Sequence, residues 1–384
     1  MAARWGQHRT RRAIAGMALV VALTAALTVV AGPGVGSGVG RAIRLGSPAA
    51  ALATPAGAVP SAGCGVSTAG PDTEVRHDLE VDGLARWYLR TTPSAHDGTT
   101  PIPLVLDFHG LAEGAQIHTL MSAFSPVAER EGFAVAFPQG RFSPVRWDAD
   151  ASSDPNLDID FVHAMLDQIE SDLCIDLSRV YASGLSYGAF FTSLLACKMS
   201  DRFAAVAPVA GILAHTPCPS TRPVPVITFH GTADPILPFN LGDGPVDLNG
   251  TGFPANVASW AERNGCDPDA TDTDVTDEVI HRVYDCPAGA DVEFYIVLGG
   301  GHAWPGSAFS QAIASVVGYT TMDISATELA WSFFQRFQLP CDPATCPGPP
   351  PTSSTTTSTT STTATTATPS PAAEAVVVTP ALTG

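Results

Sequence analysis

The chain has 384 residues, of which 45% are hydrophobic and 15% are charged, and its formal net charge at pH 7 is −18. So large a negative charge argues against binding to nucleic acid or to anionic membranes, because both are themselves negatively charged. Residues 63–340, which lie between a leader-like start and a low-complexity tail, have an ordinary length for one α/β sheet with helices on both faces.

Residues 1–31 have the pattern of a secretory signal peptide. An arginine-rich start precedes the apolar stretch 13–31, which then breaks into glycine and proline. Small residues allow cleavage after Ala31 or as late as Ala53, and residues 32–62 form a low-complexity segment. The apolar stretch is also just long enough for a membrane anchor, but its high alanine and glycine content favours export. We therefore expect a secreted protein with no membrane association in its mature form.

The apolar run 104–108 is typical of a strand, and it ends in His109, Gly110 and Leu111. In α/β-hydrolases, a turn directly after such a strand supplies one backbone N–H of the oxyanion hole. We assign this N–H to Leu111.

The pentapeptide GLSYG at residues 184–188 lies between a strand-like run, 179–183, and a helix-like run, 189–199. Ser186 therefore stands on a sharp strand-to-helix turn, which is the geometry of a nucleophile elbow. The glycines two residues before and after it meet the need for small side chains where the chain reverses. Alone, this pattern is only moderately specific, so the residues downstream decide its meaning.

Two further apolar runs each lead to a catalytic residue type. Residues 224–230 precede Asp234, and residues 292–298 precede His302. Serine, then aspartate, then histidine is the chain order of α/β-hydrolase triads. Order and context favour a triad over the alternative of a loop-capping aspartate and a solvated histidine turn. We expect an α/β-hydrolase fold with a mostly parallel, doubly wound sheet and helices on both faces.

The chemistry of acyl transfer explains these residue types. A serine hydroxyl is a weak nucleophile, so His302 is the candidate base that removes the proton of Ser186. Asp234 would hold the imidazole in the productive tautomer. The N–H groups of Tyr187, which follows the nucleophile, and of Leu111 would stabilise the charge that develops on the carbonyl oxygen.

The sequence contains no motif that is typical of a metal or cofactor site. His109 and His230 each precede a glycine at a strand end and are interpreted as hydrogen-bonded packing residues. HExxH, paired CxxC and EF-hand patterns are missing, and the scattered histidines and cysteines lack zinc-like spacing. We therefore expect no metal and no cofactor.

Eight cysteines fit an exported protein with disulfide bonds. Cys174–Cys197 is predicted because these cysteines lie on neighbouring elements around the elbow, and Cys266–Cys286 because this bond would close a short acidic segment. Cys341–Cys346 is predicted from proximity in the chain, and Cys64–Cys218 because these two cysteines remain.

Helical periodicity is clearest in two segments. Phe161, Met165 and Ile169 share one helix face, as a helix that covers a sheet requires. Ser325 and Glu328 form a capping-box pattern that predicts a last helix, whose aromatic side chains follow at core spacing.

Residues 341–384 form a tail rich in proline, serine and threonine. Such a composition cannot bury a core, so we expect the tail to be disordered. It resembles a mucin-like stalk, which would suit association with a cell wall.

These features resemble those of a known group, the secreted α/β-hydrolases related to bacterial polyhydroxybutyrate depolymerases and to feruloyl and acetylxylan esterases. The resemblance covers residues 63–339. The motifs that carry it are DFHG at 107–110, RVYA at 179–182, FHGTAD at 229–234 and GGHAWPG at 300–306. The resemblance implies an exported serine esterase with an exposed cleft that acts on polymer-borne or aromatic esters.

Two tryptophans are candidates for the cleft wall. Trp304, two residues after His302, would either stack on an aromatic acyl group or a sugar or pack under the histidine loop, and Trp147 is the second candidate. The substrate stays open among feruloyl, acetylxylan, hydroxybutyrate and small soluble esters, because loop shape sets specificity. The alternative function is a catalytically idle secreted surface or adhesion protein on the same scaffold.

Overall fold

A computed structural model describes residues 58–67 and 69–339 of the chain. The expected signal peptide, the expected tail and the predicted pair Cys341–Cys346 lie outside these residues. Among the helices that the structure describes, none is long and apolar enough to span a bilayer.

A single sheet of ten strands organises the described part of the chain. The strands are β1 (Asp72–Val81), β2 (Leu84–Thr92), β3 (Ile102–Phe108), β4 (Ala134–Pro138), β5 (Ile175–Leu185), β6 (Ala205–Val209), β7 (Val226–Gly231), β8 (Ala270–Thr276), β9 (Val279–Tyr284) and β10 (Val292–Val297). Their order across the sheet is β1-β2-β4-β3-β5-β6-β7-β10-β9-β8.

The six central strands, β4, β3, β5, β6, β7 and β10, pair in parallel, and antiparallel strands lie at both edges. Every residue of β3, β4, β6, β7 and β10 is buried, as expected for parallel strands with both faces covered. The edge strand β8 alternates threonine and aspartate along much of its length and is largely exposed, which discourages pairing with another chain. The predicted α/β-hydrolase fold is confirmed.

Eight helices accompany the sheet in the described residues. They are α1 (Ala115–Ser122), α2 (Phe124–Glu131), α3 (Leu157–Asp172), α4 (Tyr187–Lys198), α5 (Phe253–Asn264), α6 (Ala308–Ala312), α7 (Ala314–Val317) and α8 (Ala326–Phe334). Helices α3, α4 and α5 contribute to the core on one face of the sheet, and α1, α2 and α8 to the core on the other.

Both helical predictions are confirmed. Phe161, Met165 and Ile169 are fully buried on the sheet-facing side of α3. Ser325 is the N-cap of α8, and its Oγ accepts a hydrogen bond from the N–H of Glu328 at 3.3 Å. The helix therefore begins where the sequence predicts that it begins.

The disulfide bonds correct two of the predicted pairs. The structure contains the bonds Cys64–Cys174, Cys197–Cys218 and Cys266–Cys286. The last of these agrees with the prediction for the acidic segment, whereas Cys174–Cys197 and Cys64–Cys218 are wrong.

The position of the N-terminal segment explains the first correction. Ser61 donates its N–H to the carbonyl of Ile175 at 2.8 Å, so residues 58–67 run beside the start of β5. This contact holds the Cα of Cys64 4.1 Å from that of Cys174. Contacts with β5 begin at Val59, ahead of the expected domain start at residue 63.

The loop between β6 and β7 explains the second correction. It packs along α4, where the N–H of Leu213 bonds to the Oγ of Ser193 at 3.2 Å. The same loop brings the Cα of Cys218 to 5.0 Å from that of Cys197. Both bonds therefore depend on where irregular segments lie, which helix and strand periodicity does not encode.

Loss of the Cys64–Cys174 bond is expected to lower stability more than loss of the Cys266–Cys286 bond. The two cysteines of each pair are 110 and 20 residues apart, and the chain-entropy model gives about 4.7 and about 3 kcal/mol for loops of these sizes. Denaturant unfolding of C64A/C174A and C266A/C286A without reductant measures both free energies. Equal losses, or a larger loss for the shorter loop, would contradict this account.

Candidate active site

Ser186 stands between β5 and α4 in a conformation that few residues other than glycine adopt. Its φ is 57° and its ψ is −114°, which is the strained turn of a nucleophile elbow. The N–H of Ser186 donates to the carbonyl of Val209 at 2.8 Å. This bond ties the elbow to the end of β6.

The two glycines around Ser186 permit a very close approach of backbone segments. A Cβ on Gly188 would lie 2.0 Å from the carbonyl oxygen of Phe108, and one on Gly184 would lie 2.8 Å from the carbonyl of Gly188. Any larger residue would push α4 away from β3. The elbow is therefore packed directly against the strand that carries the predicted oxyanion loop.

Asp234, after β7, is buried and fully engaged. Its Oδ1 accepts the N–H groups of Ile236 and Leu237 at 2.8 Å each, and its Oδ2 lies 2.7 Å from the Nδ1 of His302 and 3.3 Å from the Nε2 of His230. Burial acts to raise the pKa of Asp234, but the charge of His302 and the hydrogen bonds from both histidines outweigh it and hold the pKa well below its usual value. The carboxylate is therefore ionised.

His302, in the loop after β10, has one ring nitrogen engaged and one open. Its Nδ1 faces Asp234, whereas its buried Nε2 has no hydrogen-bond partner among residues 58–67 and 69–339. The loop is held by backbone bonds from His302 to Val317 at 2.6 Å and from Gly301 to Tyr319 at 2.7 Å. An imidazole whose second nitrogen has no partner is suited to take a proton.

The predicted oxyanion loop lies beside the elbow, since a Cβ on Gly110 would be 3.5 Å from the Cβ of Ser186. His109 fixes the orientation of this loop. Its Nδ1 donates to the carbonyl of Gly110 at 2.7 Å, and its Nε2 accepts the N–H of Gly140 at 2.9 Å. Burial lowers the pKa of His109 to about 4, so the ring is neutral and this tautomer is the one that satisfies both contacts.

The orientation of the Gly110 carbonyl decides where the N–H of Leu111 points. The two groups belong to one trans peptide and point in opposite directions. Because the carbonyl faces the His109 ring, the Leu111 N–H faces away from it, and no hydrogen bond to this N–H is found within the described residues. Leu111 also lines the cleft.

Tyr187 is the first residue of α4. The N–H groups of the first turn of a helix have no acceptor inside the helix, and the helix dipole gives this end a partial positive charge. Of the two predicted oxyanion donors, Tyr187 thus begins the helix directly after Ser186, and Leu111 lies in the loop whose Gly110 approaches Ser186.

An apolar cleft opens beside these groups. Its empty space, including the open mouth, is about 490 Å³. Besides His302, Leu185 and the loop at 110–113, its wall consists of apolar side chains: Ile117, Met121, Ile236, Phe309, Ile313 and Val317. Helices α6 and α7, which follow the histidine loop, supply the last part of this wall.

Both candidate tryptophans of the cleft wall are packing residues, which for Trp304 is one of the two alternatives that the sequence leaves open. Trp304 and Trp147 are each 1% exposed. The indole N–H of Trp304 donates to Thr327 Oγ1 at 2.9 Å, and that of Trp147 donates to the carbonyl of His109 at 2.9 Å. Each ring supports a catalytic loop from beneath, so neither is available to stack on a substrate.

Sequence reasoning left two contributions unassigned. His109 and His230 are buried, hydrogen-bonded packing residues, as predicted, and in addition one orients the Gly110 peptide and the other contacts the Asp234 carboxylate. Their position before a glycine at a strand end was the available signal, since that place borders the site.

In the described ranges, no group of three or more His, Cys, Asp or Glu side chains is arranged to hold a metal ion.

Comparison with known proteins gives a consistent set of relatives. The family model described as esterase PHB depolymerase matches residues 88–272. A relative from Nocardia uniformis subsp. tsuyamanensis, named as an esterase (NocK), is 31% identical over 284 residues, which cover 68% of this chain and 82% of that protein. Feruloyl esterase B from Piromyces equi is 29% identical over 224 residues.

The aligned region covers 55% of this chain and 41% of the Piromyces equi protein, so the chain spans less than half of that relative's length. Among solved structures, an acetyl xylan esterase from Aspergillus awamori is 15% identical with a TM-score of 0.48, over 60% of this chain and 94% of that one.

Gly188→Ala is expected to destabilise the protein by about 2 kcal/mol or more, because the added Cβ meets the Phe108 carbonyl. Gly244→Ala is the matched control, since a Cβ at Gly244 meets nothing within 4 Å. Thermal and denaturant unfolding of both variants measure the difference. A Gly188→Ala protein as stable as the control would refute the proposed packing of the elbow.

Proposed function

Because the chain belongs to the esterase PHB depolymerase family and hydrolyses carboxylic esters, we propose that it does so through an acyl-enzyme formed on Ser186. The observation that carries this proposal is the Asp234–His302 contact at 2.7 Å, which leaves the second ring nitrogen of His302 open beside the cleft. The strained backbone of Ser186 supports its role as nucleophile, because such a turn lifts the hydroxyl out of the sheet edge.

In the first half-reaction, the Ser186 Oγ attacks the ester carbonyl carbon while His302 Nε2 takes the hydroxyl proton. The tetrahedral intermediate collapses, and the imidazolium gives that proton to the departing alkoxide. Asp234 stays ionised and stabilises the imidazolium, as its lowered pKa requires. Water then repeats the attack with His302 as base and releases the acid and the free serine.

The N–H groups of Leu111 and Tyr187 would bind the oxyanion in both half-reactions. The bond from His109 to the Gly110 carbonyl supports the first assignment, and the start of α4 at Tyr187 supports the second. Preorganised donors of this kind need no rearrangement as charge develops, and each is worth about a hundred- to a thousandfold in rate.

The apolar lining of the cleft supports the proposal that the acyl group of the substrate is mainly aliphatic. Apolar side chains make up most of its wall, and its acidic residue, Glu113, is engaged in an ion pair and a backbone hydrogen bond. Such a wall offers little to the hydroxyl of a ferulate or to a sugar, whereas it removes water from an alkyl chain at about 0.8 kcal/mol per methylene. We place the polymer or alcohol portion of the ester outside this cleft.

Action outside the cell is part of the proposal. Three disulfide bonds in the described residues are typical of proteins that fold in an oxidising compartment. The strongly acidic net charge of −18 suits a soluble extracellular enzyme. Polymer-linked esters, including those of plant-wall polysaccharides and polyesters, are then the natural substrate class, and the tail would serve attachment to a cell wall.

Ser186→Ala is expected to abolish hydrolysis of p-nitrophenyl esters, with kcat lowered by at least about a thousandfold because the acyl-enzyme no longer forms. Ser259→Ala, an exposed serine on α5, is the control and should retain wild-type kcat. Steady-state kinetics and intact-mass detection of an acyl adduct provide the readouts. A Ser186→Ala protein with substantial activity would refute the mechanism, and two folded, equally inactive proteins would favour the non-catalytic surface protein.

The acyl chain should determine the rate. We expect kcat/KM for p-nitrophenyl butyrate to exceed that for the acetate by about tenfold, and Ile313→Trp to remove this advantage by filling the cleft. Leu241→Trp, at a side chain 75% exposed and outside the cleft wall, is the control. If Ile313→Trp lowers both rates equally, the cleft does not hold the acyl group.

A further inference from the structure

Three ionisable side chains form a largely buried group next to the predicted oxyanion loop. We call Asp107, Glu113 and His118 the buried charge cluster. The Nδ1 of His118 lies 2.9 Å from Glu113 Oε1, and its Nε2 lies 3.1 Å from Asp107 Oδ2. The side chains of Asp107 and His118 are 0% exposed and that of Glu113 is 8% exposed.

The central histidine of this cluster is a cation. Burial by itself would lower the pKa of His118, but the two carboxylates outweigh it and raise the pKa to about 10. One positive charge therefore lies between two negative charges. The contact with Glu113 is a good hydrogen bond, whereas the contact with Asp107 is an ion pair without hydrogen-bond geometry.

Burying such charges costs free energy that a well-packed apolar group would not cost. The three residues also do not bridge distant parts of the fold, since Asp107 lies near the end of β3, His118 lies on α1 and Glu113 lies in the loop between them. A contribution to global stability alone does not explain them.

What the cluster does contact is the oxyanion loop. Glu113 Oε2 accepts the N–H of Gly110 at 2.5 Å. This N–H belongs to the His109–Gly110 peptide, and the next peptide, Gly110–Leu111, is held through its carbonyl by the His109 ring at 2.7 Å. The two peptide planes on either side of Gly110 are thus each held by one side chain.

We propose that Glu113, anchored by His118 and by Asp107, is a positioning residue: it holds the His109–Gly110 peptide and so, together with the His109 ring, keeps the neighbouring Gly110–Leu111 peptide in the orientation that binds the oxyanion. Glycine at position 110 lacks a Cβ, so its backbone dihedrals are restrained mainly by the partners of its two peptides, and loss of the Glu113 contact would leave one of these peptides unrestrained. The ion pair to His118 prevents the Glu113 side chain from turning away, so the restraint is present before the substrate binds.

The same histidine also touches the other catalytic loop. The rings of His118 and Trp304 are edge to face, with centroids 5.8 Å apart. Trp304 follows the catalytic His302 by two residues. The buried charge cluster therefore lies between the loop that would bind the oxyanion and the loop that would carry the base, and it fixes their separation.

Glu113→Gln tests this inference, which rests on the proposed function of Ser186. Glutamine has the size of glutamate but no charge, and its amide cannot accept from Gly110 and from His118 together. We expect kcat to fall by about ten- to a hundredfold with KM within about twofold, because the lost interaction acts in the transition state. Affinity for a trifluoromethyl ketone that mimics the oxyanion should fall in parallel with kcat/KM.

Glu113→Asp is the second variant. It keeps the buried negative charge, so it folds even where the neutral variant does not, but its carboxylate is too short to reach both partners. Its kcat should also fall. Glu170→Gln is the matched control, because it breaks an ion pair of similar burial, to Arg202 at 2.6 Å, that lies outside the cleft wall. It should lower the unfolding temperature and leave kcat unchanged.

The outcomes separate this inference from the proposed function. Wild-type kcat in either Glu113 variant, or a rise in KM without a fall in kcat, would overturn the positioning role. So would a kcat loss as large in Glu170→Gln, since the effect would then be one of stability. Activity retained in Ser186→Ala, measured in the same assay, would instead overturn the proposed function and this inference with it.

Discussion

The close contact between the start of α4 and the end of β3 is the constraint on which the site depends. Gly188 approaches the Phe108 carbonyl so closely that no side chain fits between them. That approach allows β5 to turn into α4 at Ser186 with a positive φ, and it places Ser186 beside Gly110. The parallel order of β3, β5, β6, β7 and β10 then brings the loops that follow these strands to one edge of the sheet.

Polar groups around this edge are engaged in positioning one another. Asp234 is held by two backbone N–H groups and two histidines, His109 holds a carbonyl, and Glu113 holds an amide. Such engagement leaves few polar side chains to recognise a substrate, so the cleft wall is apolar. Fixed dipoles are effective in catalysis because they do not have to reorganise when charge develops. The polar groups of this edge are therefore used to position one another, and few of them are left to bind the acyl group of a substrate.

The relatives extend this view of specificity. The matching proteins differ in name: the aligned region spans 82% of the one named as an esterase and 41% of the one named feruloyl esterase B. Different names on related proteins are expected when specificity depends on loops and not on the fold. In this chain the segment of α6 and α7 contributes Phe309, Ile313 and Val317 to the cleft wall.

The sequence by itself determined the fold class, the order of the three catalytic candidates and the two helices with clear caps or periodicity. These features depend on local patterns: apolar runs, a glycine-flanked serine and a capping serine at Ser325. Only the tertiary structure decided the disulfide partners of Cys64 and Cys197, the burial of Trp304 and the ion pairs of His118. Each of those depends on where a distant or irregular segment packs, and packing between residues far apart in the chain leaves no periodic signal along it.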